Sequence, residues 1–482
     1  MTRVSPKRSP RTAGTASGAR EAQAGQAAPA PRPISTIWRL AWPQMLMMFF
    51  NFLIGFVDIL VAGRIDSTVQ AAMGMVNSLL FFFLVIATAV ANGAVAAVSQ
   101  SMGAGLRRRV QRYIGLVLVT GVLSGLCIFL VGLPIKHPVL AMLQVPKAVA
   151  PVMDVYYDVF LLLLPFYYVF IVCNALFRAQ KRVMEPLYVI VLATIVNTIG
   201  DLGLGLGWWG FPNMGYRGLA WSTFGSITAG MCLDIWLLRR RGMLTAEAFP
   251  PLRWARKALP YIVKVAWPGG LMQVVWNGAY LVLFAIVGSL PVGSVPALAG
   301  MSAGLRVESF LFLPGVAFNM TASILVGQYL GQGRPDLAKS YGFKVLALGV
   351  VSMSVAAVAV WHWVAPLAAF IAPDPAVARQ CVSYLSYNLL AIPFTLTTMT
   401  MAGALTGAGA TLYILLAFGG ASWLVRLPLA WLLGHVVMGN SRGVWLAMLL
   451  SQGLQAVIVL YIFAYKDWSR FSLVRRRKNN GD

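Results

Sequence analysis

The sequence predicts an all-α polytopic membrane protein: twelve transmembrane helices in two pseudo-symmetric six-helix lobes. Three observations carry this. The 482 residues are 59% hydrophobic and only 11% charged, against about 25% charged in a soluble domain. Apolar runs of roughly 20 residues, the length that crosses a hydrocarbon core, recur between polar or Gly/Pro breaks. The two halves of the chain also repeat one another.

The spans follow in order. The first, 38–62, ends at Gly63-Arg64, and the second, 69–95, is followed by "GAGLRRR". The third, 113–134, stops at "LPIKHP"; the fourth, 151–176, at "FRAQKR"; the fifth, 186–208, at "GWWG"; the sixth, 216–238, at Arg239 to Arg241. The second half gives 262–289, 297–325, 343–366, 377–402, 411–433 and 443–465 in the same alternation of apolar run and polar break. Residues 1–33, rich in Ala, Pro, Arg and Ser without an apolar run, read as a disordered basic tail. Residues 34–240 form the N-lobe, 241–259 a linker, 260–466 the C-lobe and 467–482 a second basic tail.

A net charge of +24 would suggest nucleic acid in a soluble chain, but here the placement of charge decides. Thirty of the 38 Lys and Arg fall in the termini, the connections after even-numbered spans and the span ends beside them; the corresponding places after odd-numbered spans hold six. The positive-inside rule therefore puts both termini in the cytoplasm, with the basic loops on lipid headgroups. Cys127, Cys173, Cys232 and Cys381 stand singly, and no metal or nucleophile constellation is visible, so neither an enzyme nor a cofactor is expected.

"LAWPQMLMMFF" at residue 40 is answered by "VAWPGGLMQVV" at residue 265. The register continues through Gly74-Met75 with Gly300-Met301, "VSQSMGAG" (98–105) with "VGQYLGQG" (326–333), and Arg217-Gly218 with Arg442-Gly443. Six helices per half make these parallel repeats about an axis along the membrane normal, a layout of secondary transporters with a site between lobes.

The acids are not duplicated. Asp58 falls opposite Phe284 or a neighbour, and Asp201 opposite Arg426. An ionised carboxylate at the bilayer centre costs about 3 kcal/mol on insertion scales, so such residues are functional by default. Asn197 precedes Asp201 by four and shares its helix face. This pair facing Asp58 would either share a proton or close around Na⁺. The competing structural reading pairs Asp58 with Arg64 and makes Asp201 a cap at the bend into "GLGWWG". Asp158, one turn after Asp154, reads equally as interfacial or functional, and Glu308 follows Arg306, which could neutralise it. Met45, Met47, Met48, Phe49 and Phe50, with Tyr167, Tyr168, Met272 and Trp276, could line a polarisable cavity or simply pack.

Four pieces together resemble the multidrug and toxic compound extrusion (MATE) family over nearly all of the chain after residue 34: "WPQMLMMFFNFLIGFVDILVAGRID", "GAVAAVSQSMGAG" with its partner "SILVGQYLGQG", "ALFRAQKRVMEPLYVIVLATIVNTIGD" and "GYRGLAWST". The resemblance implies a V-shaped cavity between lobes and export of organic, often cationic, compounds in exchange for H⁺ or Na⁺ at a bacterial inner membrane; a monomer is expected. In the DNA-damage-inducible-protein-F-like branch it implies an N-lobe cation site of Asp58, Pro43 as the bending point of helix 1, Asn197, Asp201 and the helix-6 hydroxyl Thr223, with Asn174 as a further polar position. Another branch carries essential acids in helices 7 and 10, where this chain has none internally, and "LFRAQK" departs from the family's usual "LRGxG". A lipid or lipid-linked oligosaccharide flippase is the rival of related fold; away from the span ends only Arg306 and Arg426 lie inside spans to serve its anionic cargo.

Overall fold

The computed structural model describes residues 33–473 except 144 and 373. The tail expected at 1–33 lies outside the described residues apart from Pro33, as does 474–482 of the second tail. Twelve helical spans follow in order: α1 Pro33–Ile65, α2 Ser67–Gly103, α3 Arg107–Met142, α4 Ala150–Ala179, α5 Met184–Gly205, α6 Tyr216–Arg240, α7 Leu252–Gly288, α8 in two pieces (Ser294–Leu311 and Leu313–Gly331), α9 Pro335–Trp361, α10 Pro375–Ala408, α11 Thr411–Val437 and α12 Ser441–Tyr465. Ten are long and apolar enough to cross a membrane, and the two pieces of α8 make an eleventh. The remaining span, α6, has 25 residues, about 37 Å of helix. Ser222, Thr223, Ser226 and Asp234 lower its apolar content.

Sequence chemistry sets several boundaries. At the end of the molecule away from the Arg-rich loops, Asp66, Asp374 and Asn440 accept the backbone N–H two residues on and start α2, α10 and α12. The span expected at 297–325 is bent by 45° between its two pieces. Pro314 is the cause, since it lacks an N–H and its ring clashes with the carbonyl of the preceding turn. α7 begins at Leu252, so part of the expected linker is already helical.

Each lobe has its own apolar core, one built from α1 to α6 and the other chiefly from α7 to α12. The repeat is visible in the close approaches. A Cβ on Gly218 would lie 2.3 Å from the Leu204 carbonyl, and one on Gly443 2.2 Å from that of Leu433. Between lobes, a Cβ on Gly103 would meet the Gln328 carbonyl at 2.0 Å, and one on Gly331 the Gln100 carbonyl at 2.0 Å. Two glutamines lock this seam from both sides. Gln100 Nε2 donates to the Gly407 carbonyl at 2.8 Å, and Gln328 Nε2 to that of Ala179 at 3.0 Å. The lobes are therefore joined at the basic end. Ser472 and Leu473 add to the seam, with Leu473 N donating to Gln100 Oε1 at 2.7 Å.

Candidate functional site

Asp58 from α1 and Asn197 and Asp201 from α5 meet inside the N-lobe. Asp201 and Asn197 are fully buried and Asp58 is 8% exposed. Asn197 Nδ2 donates to Asp58 Oδ1 at 3.2 Å, and the two aspartic carboxyls lie close enough for each to feel the other's charge. Two like charges at that separation in a dry interior are compatible only with a shared proton or an intervening cation. No ion pair joins Asp58 to Arg64 among the described residues.

The backbone helps to form the site. Asp201 opens a π-helical turn, Asp201–Gly205, in the glycine-rich "DLGLG". An i→i+5 turn shifts the helix face by one residue and recurs at functional sites. Gly200 allows α6 to approach: a Cβ there would meet Ser222 Oγ at 2.4 Å. Ser222 Oγ donates to the Asn197 carbonyl at 2.9 Å. Tyr156 of α4, fully buried, feels both carboxyl charges. Asn197 Oδ1, both Asp201 oxygens and the Tyr156 hydroxyl lack protein partners. An oxygen-rich, water-excluded pocket of this kind suits a proton or a hard cation.

The other residues singled out by the sequence fall in different places. Thr223 turns its hydroxyl back to the Leu219 carbonyl at 3.2 Å, and it is the adjacent Ser222 whose hydroxyl bonds the Asn197 carbonyl beside Asp201. Pro43 is buried mid-helix, fifteen residues before Asp58, which is about 22 Å along the axis. α1 stays helical through it, and its neighbour Gln44 donates to Leu40 O and to Thr321 Oγ1 of the other lobe. Asn174 is buried with its amide donated to the Phe170 carbonyl. Asp158 and Asp154 share Lys136 at 2.7 and 2.8 Å and are about half exposed, a surface ion cluster. Sequence reasoning passed over Ser222 and Tyr156, although Ser222 continues a face of small residues with Gly218 and Ser226 that marks a close helix contact.

A cavity of about 620 Å³ opens between the lobes, within the range of small-molecule sites. Asn77, Ser78, Phe81 and Phe82 of α2 face Trp276, Tyr280, Phe284 and Glu308 of the C-lobe across it. Of the expected lining residues only Trp276 is among these. Tyr168 is fully buried with its hydroxyl bonded to the Phe83 carbonyl, and Met45, Met48 and Met272 pack half-buried on the two cores away from this lining. Glu308 is not neutralised by Arg306, which is exposed. Tyr384 donates to Glu308 Oε2, whereas Oε1 is buried without a partner.

The register that aligns Asp201 with Arg426 is structural as well. Both residues are buried and both lie in π-helical turns, Asp201–Gly205 and Ala421–Arg426. Arg426 Nε donates to Ser451 Oγ at 2.9 Å and its guanidinium stacks 5.5 Å from the Trp276 ring centroid. The C-lobe thus carries a permanent cation at the place where the N-lobe carries an acid.

Comparison with known proteins agrees with this architecture. The MatE family model matches residues 43–202 and 268–432, one block per lobe. A probable multidrug resistance protein NorM of Thermotoga maritima is 24% identical over 446 residues, covering 91% of this chain and 94% of that one. The multidrug resistance protein PmpM of Pseudomonas aeruginosa is 25% identical over 456 residues, covering 92% and 93%. The crystal structure of the Vibrio cholerae MATE transporter VcmN in the bent form superposes with a TM-score of 0.83 at 18% identity, over 91% and 97% of the two chains. A multi-pass helical chain with two repeated lobes, matched by one family model in each, belongs to the MatE family.

Proposed function

We propose that the protein is a secondary active multidrug efflux antiporter, exporting organic, amphipathic and mostly cationic compounds in exchange for H⁺ or Na⁺. The observation that carries this is the buried Asp58–Asn197–Asp201 site, two carboxyls close enough to feel each other's charge, in one lobe only. A conformational equilibrium responds to a ligand only by that ligand's differential affinity for the two states. Export therefore requires substrate and cation to favour opposite lobe arrangements.

Substrate occupies the cavity between α2, α7 and α8, where aromatic faces surround the one unpaired oxygen of Glu308. Cation entry from outside cancels negative charge between α1 and α5, α1 bends at Pro43, and substrate is released. The lobes then open at the basic, cytoplasmic end, where the cation leaves.

Inside-out proteoliposomes, with the lumen made either acidic or rich in Na⁺ relative to the bath, test the reading. Uptake of a fluorescent organic cation should follow an imposed H⁺ or Na⁺ gradient. In Asp58→Asn its initial rate should fall by roughly 100-fold, the upper scale of a lost coupling free energy. Equal gradient-driven uptake by wild type and variant would contradict the assignment.

A further inference from the structure

One buried acid has no part in that site. Asp234, in the half of α6 nearest the basic end, is fully buried and neither of its carboxyl oxygens has a hydrogen-bond partner. The repeat shows that the fold does not need it. The register that pairs Arg217 with Arg442 pairs Asp234 with Val459, an apolar residue equally buried in α12. A bare carboxyl is costly where valine would pack, so its retention calls for a task.

Asp234 is the last of four residues spaced by four on one face of α6: Ser222, Ser226, Gly230 and Asp234, all buried. The stripe begins at the proposed cation site, where Ser222 bonds the Asn197 carbonyl and packs against Gly200, next to Asp201. It ends twelve residues on, about 18 Å further along the axis. Midway it is closed. A Cβ on Gly230 would lie 2.7 Å from Cε2 of Phe170, so that ring rests on the helix. α4 and α6 run in the same direction, so Asn174, four residues beyond Phe170, lies at the level of Asp234, and its Oδ1 is also buried without a partner.

The charged and titratable groups facing Asp234 come from α4: Arg178, and the buried thiol of Cys173. From α5, Glu185 lies nearer the basic end and is already engaged by Arg182 at 3.5 Å and Arg241 at 3.3 Å. Arg178 is not ion-paired to Asp234. Its Nη1 donates across the lobe seam to Met320 Sδ of α8 at 3.3 Å, and a thioether is a weak acceptor. Parting the lobes at the basic end removes that acceptor and leaves the guanidinium with one nearby anion to turn to.

We propose that Asp234 is the inner proton station of the N-lobe. A proton leaving the Asp58–Asp201 pair passes along the Ser222–Ser226–Gly230 face when Phe170 moves aside, protonates the Asp234 carboxylate, and is released to the cytoplasm when Arg178 leaves Met320 and pairs with that carboxylate. This rests on the antiport reading above and commits it to H⁺. The proton moves from the Asp58–Asp201 carboxyl to the Asp234 carboxylate and then from the Asp234 carboxyl to cytoplasmic water, leaving the carboxylate to Arg178, and no other species is consumed.

The test uses full-length protein in proteoliposomes and two variants, Asp234→Asn and Asp234→Val, the latter installing the residue the C-lobe already accepts. Two reactions are measured: uptake driven by a pH gradient, and exchange of labelled for unlabelled substrate with no gradient, which needs no net proton movement. Both variants should lose about tenfold or more of the driven rate while exchange stays close to wild type. Driven uptake unchanged in both variants overturns the proposal, as does equal loss of driven uptake and exchange in both. Wild-type uptake driven by Na⁺ but not by H⁺ also overturns it while leaving antiport standing. Exchange in wild type with no drive from either ion fails the antiport reading itself.

Discussion

Asp201→Asn is expected to reduce cation-driven export by roughly 100-fold, and the Asp58→Asn, Asp201→Asn double variant by no more than either change alone. The reason is geometric. Asn197 donates to Asp58 and sits one turn before Asp201 on the same helix, so under the proposed mechanism the two carboxyls would bind one cation as a unit. Removing either leaves an incomplete site, and removing the second takes away nothing further. The neutral amide conserves volume in the Gly200–Ser222 contact, so the protein should still fold. Efflux rates in cells and in proteoliposomes check this. A double variant losing far more than each single change would mean that the acids act separately.

Gly331→Val, or Gly103→Val in the other lobe, should disable export to a similar degree by a different route. An added Cβ lies 2.0 Å from the backbone carbonyl of the opposite lobe in each case. Backbone does not move aside as a flexible side chain would, and overpacking of this kind costs about 1 to 3 kcal/mol. That energy falls only on the arrangement in which the basic ends of α2 and α8 touch, so the lobes are biased toward opening there. A cysteine placed at Ser99, fully buried in the seam, should then react with an impermeant maleimide from the basic side, read by mass at residue 99. Gly453→Val is the control, because nothing lies within 4 Å of its added Cβ and export should stay near wild type. Protection of residue 99 in Gly331→Val, with full export, would remove the seam from the mechanism.

Much of this molecule is legible in its sequence because the membrane restricts the options. Apolar run length gave the helices, and the "VSQSMGAG" and "VGQYLGQG" echo marked the strips that meet at the seam, where each glycine lets a backbone in and each glutamine reaches across. Asp58, Asn197 and Asp201 stood out because carboxyls are rare at membrane depth. What escaped depends on rotation about a helix axis. Ser222 and Thr223 are adjacent and differ by about 100° in direction, and only the run of small residues Gly218, Ser222 and Ser226 tells which faces a neighbour. Asp234 was obscured by the arginines that follow it, although its i+4 spacing from Gly230 was readable. Tyr168 looked like a cavity aromatic and is instead locked in the core by its bond to Phe83. The π-helical turns at Asp201 and Arg426 rest on backbone hydrogen bonding that no residue pattern announces.

The central claim, that cation and substrate compete through the Asp58–Asp201 site, is tested most directly by the affinity of the purified protein for a fluorescent organic cation as a function of pH and of Na⁺. Competition with one cation predicts that affinity falls by up to about tenfold for each tenfold rise in H⁺ or Na⁺, and that the dependence is lost in Asp58→Asn and Asp201→Asn. Substrate affinity independent of both ions in the wild type, or the same dependence in the two variants, would contradict it.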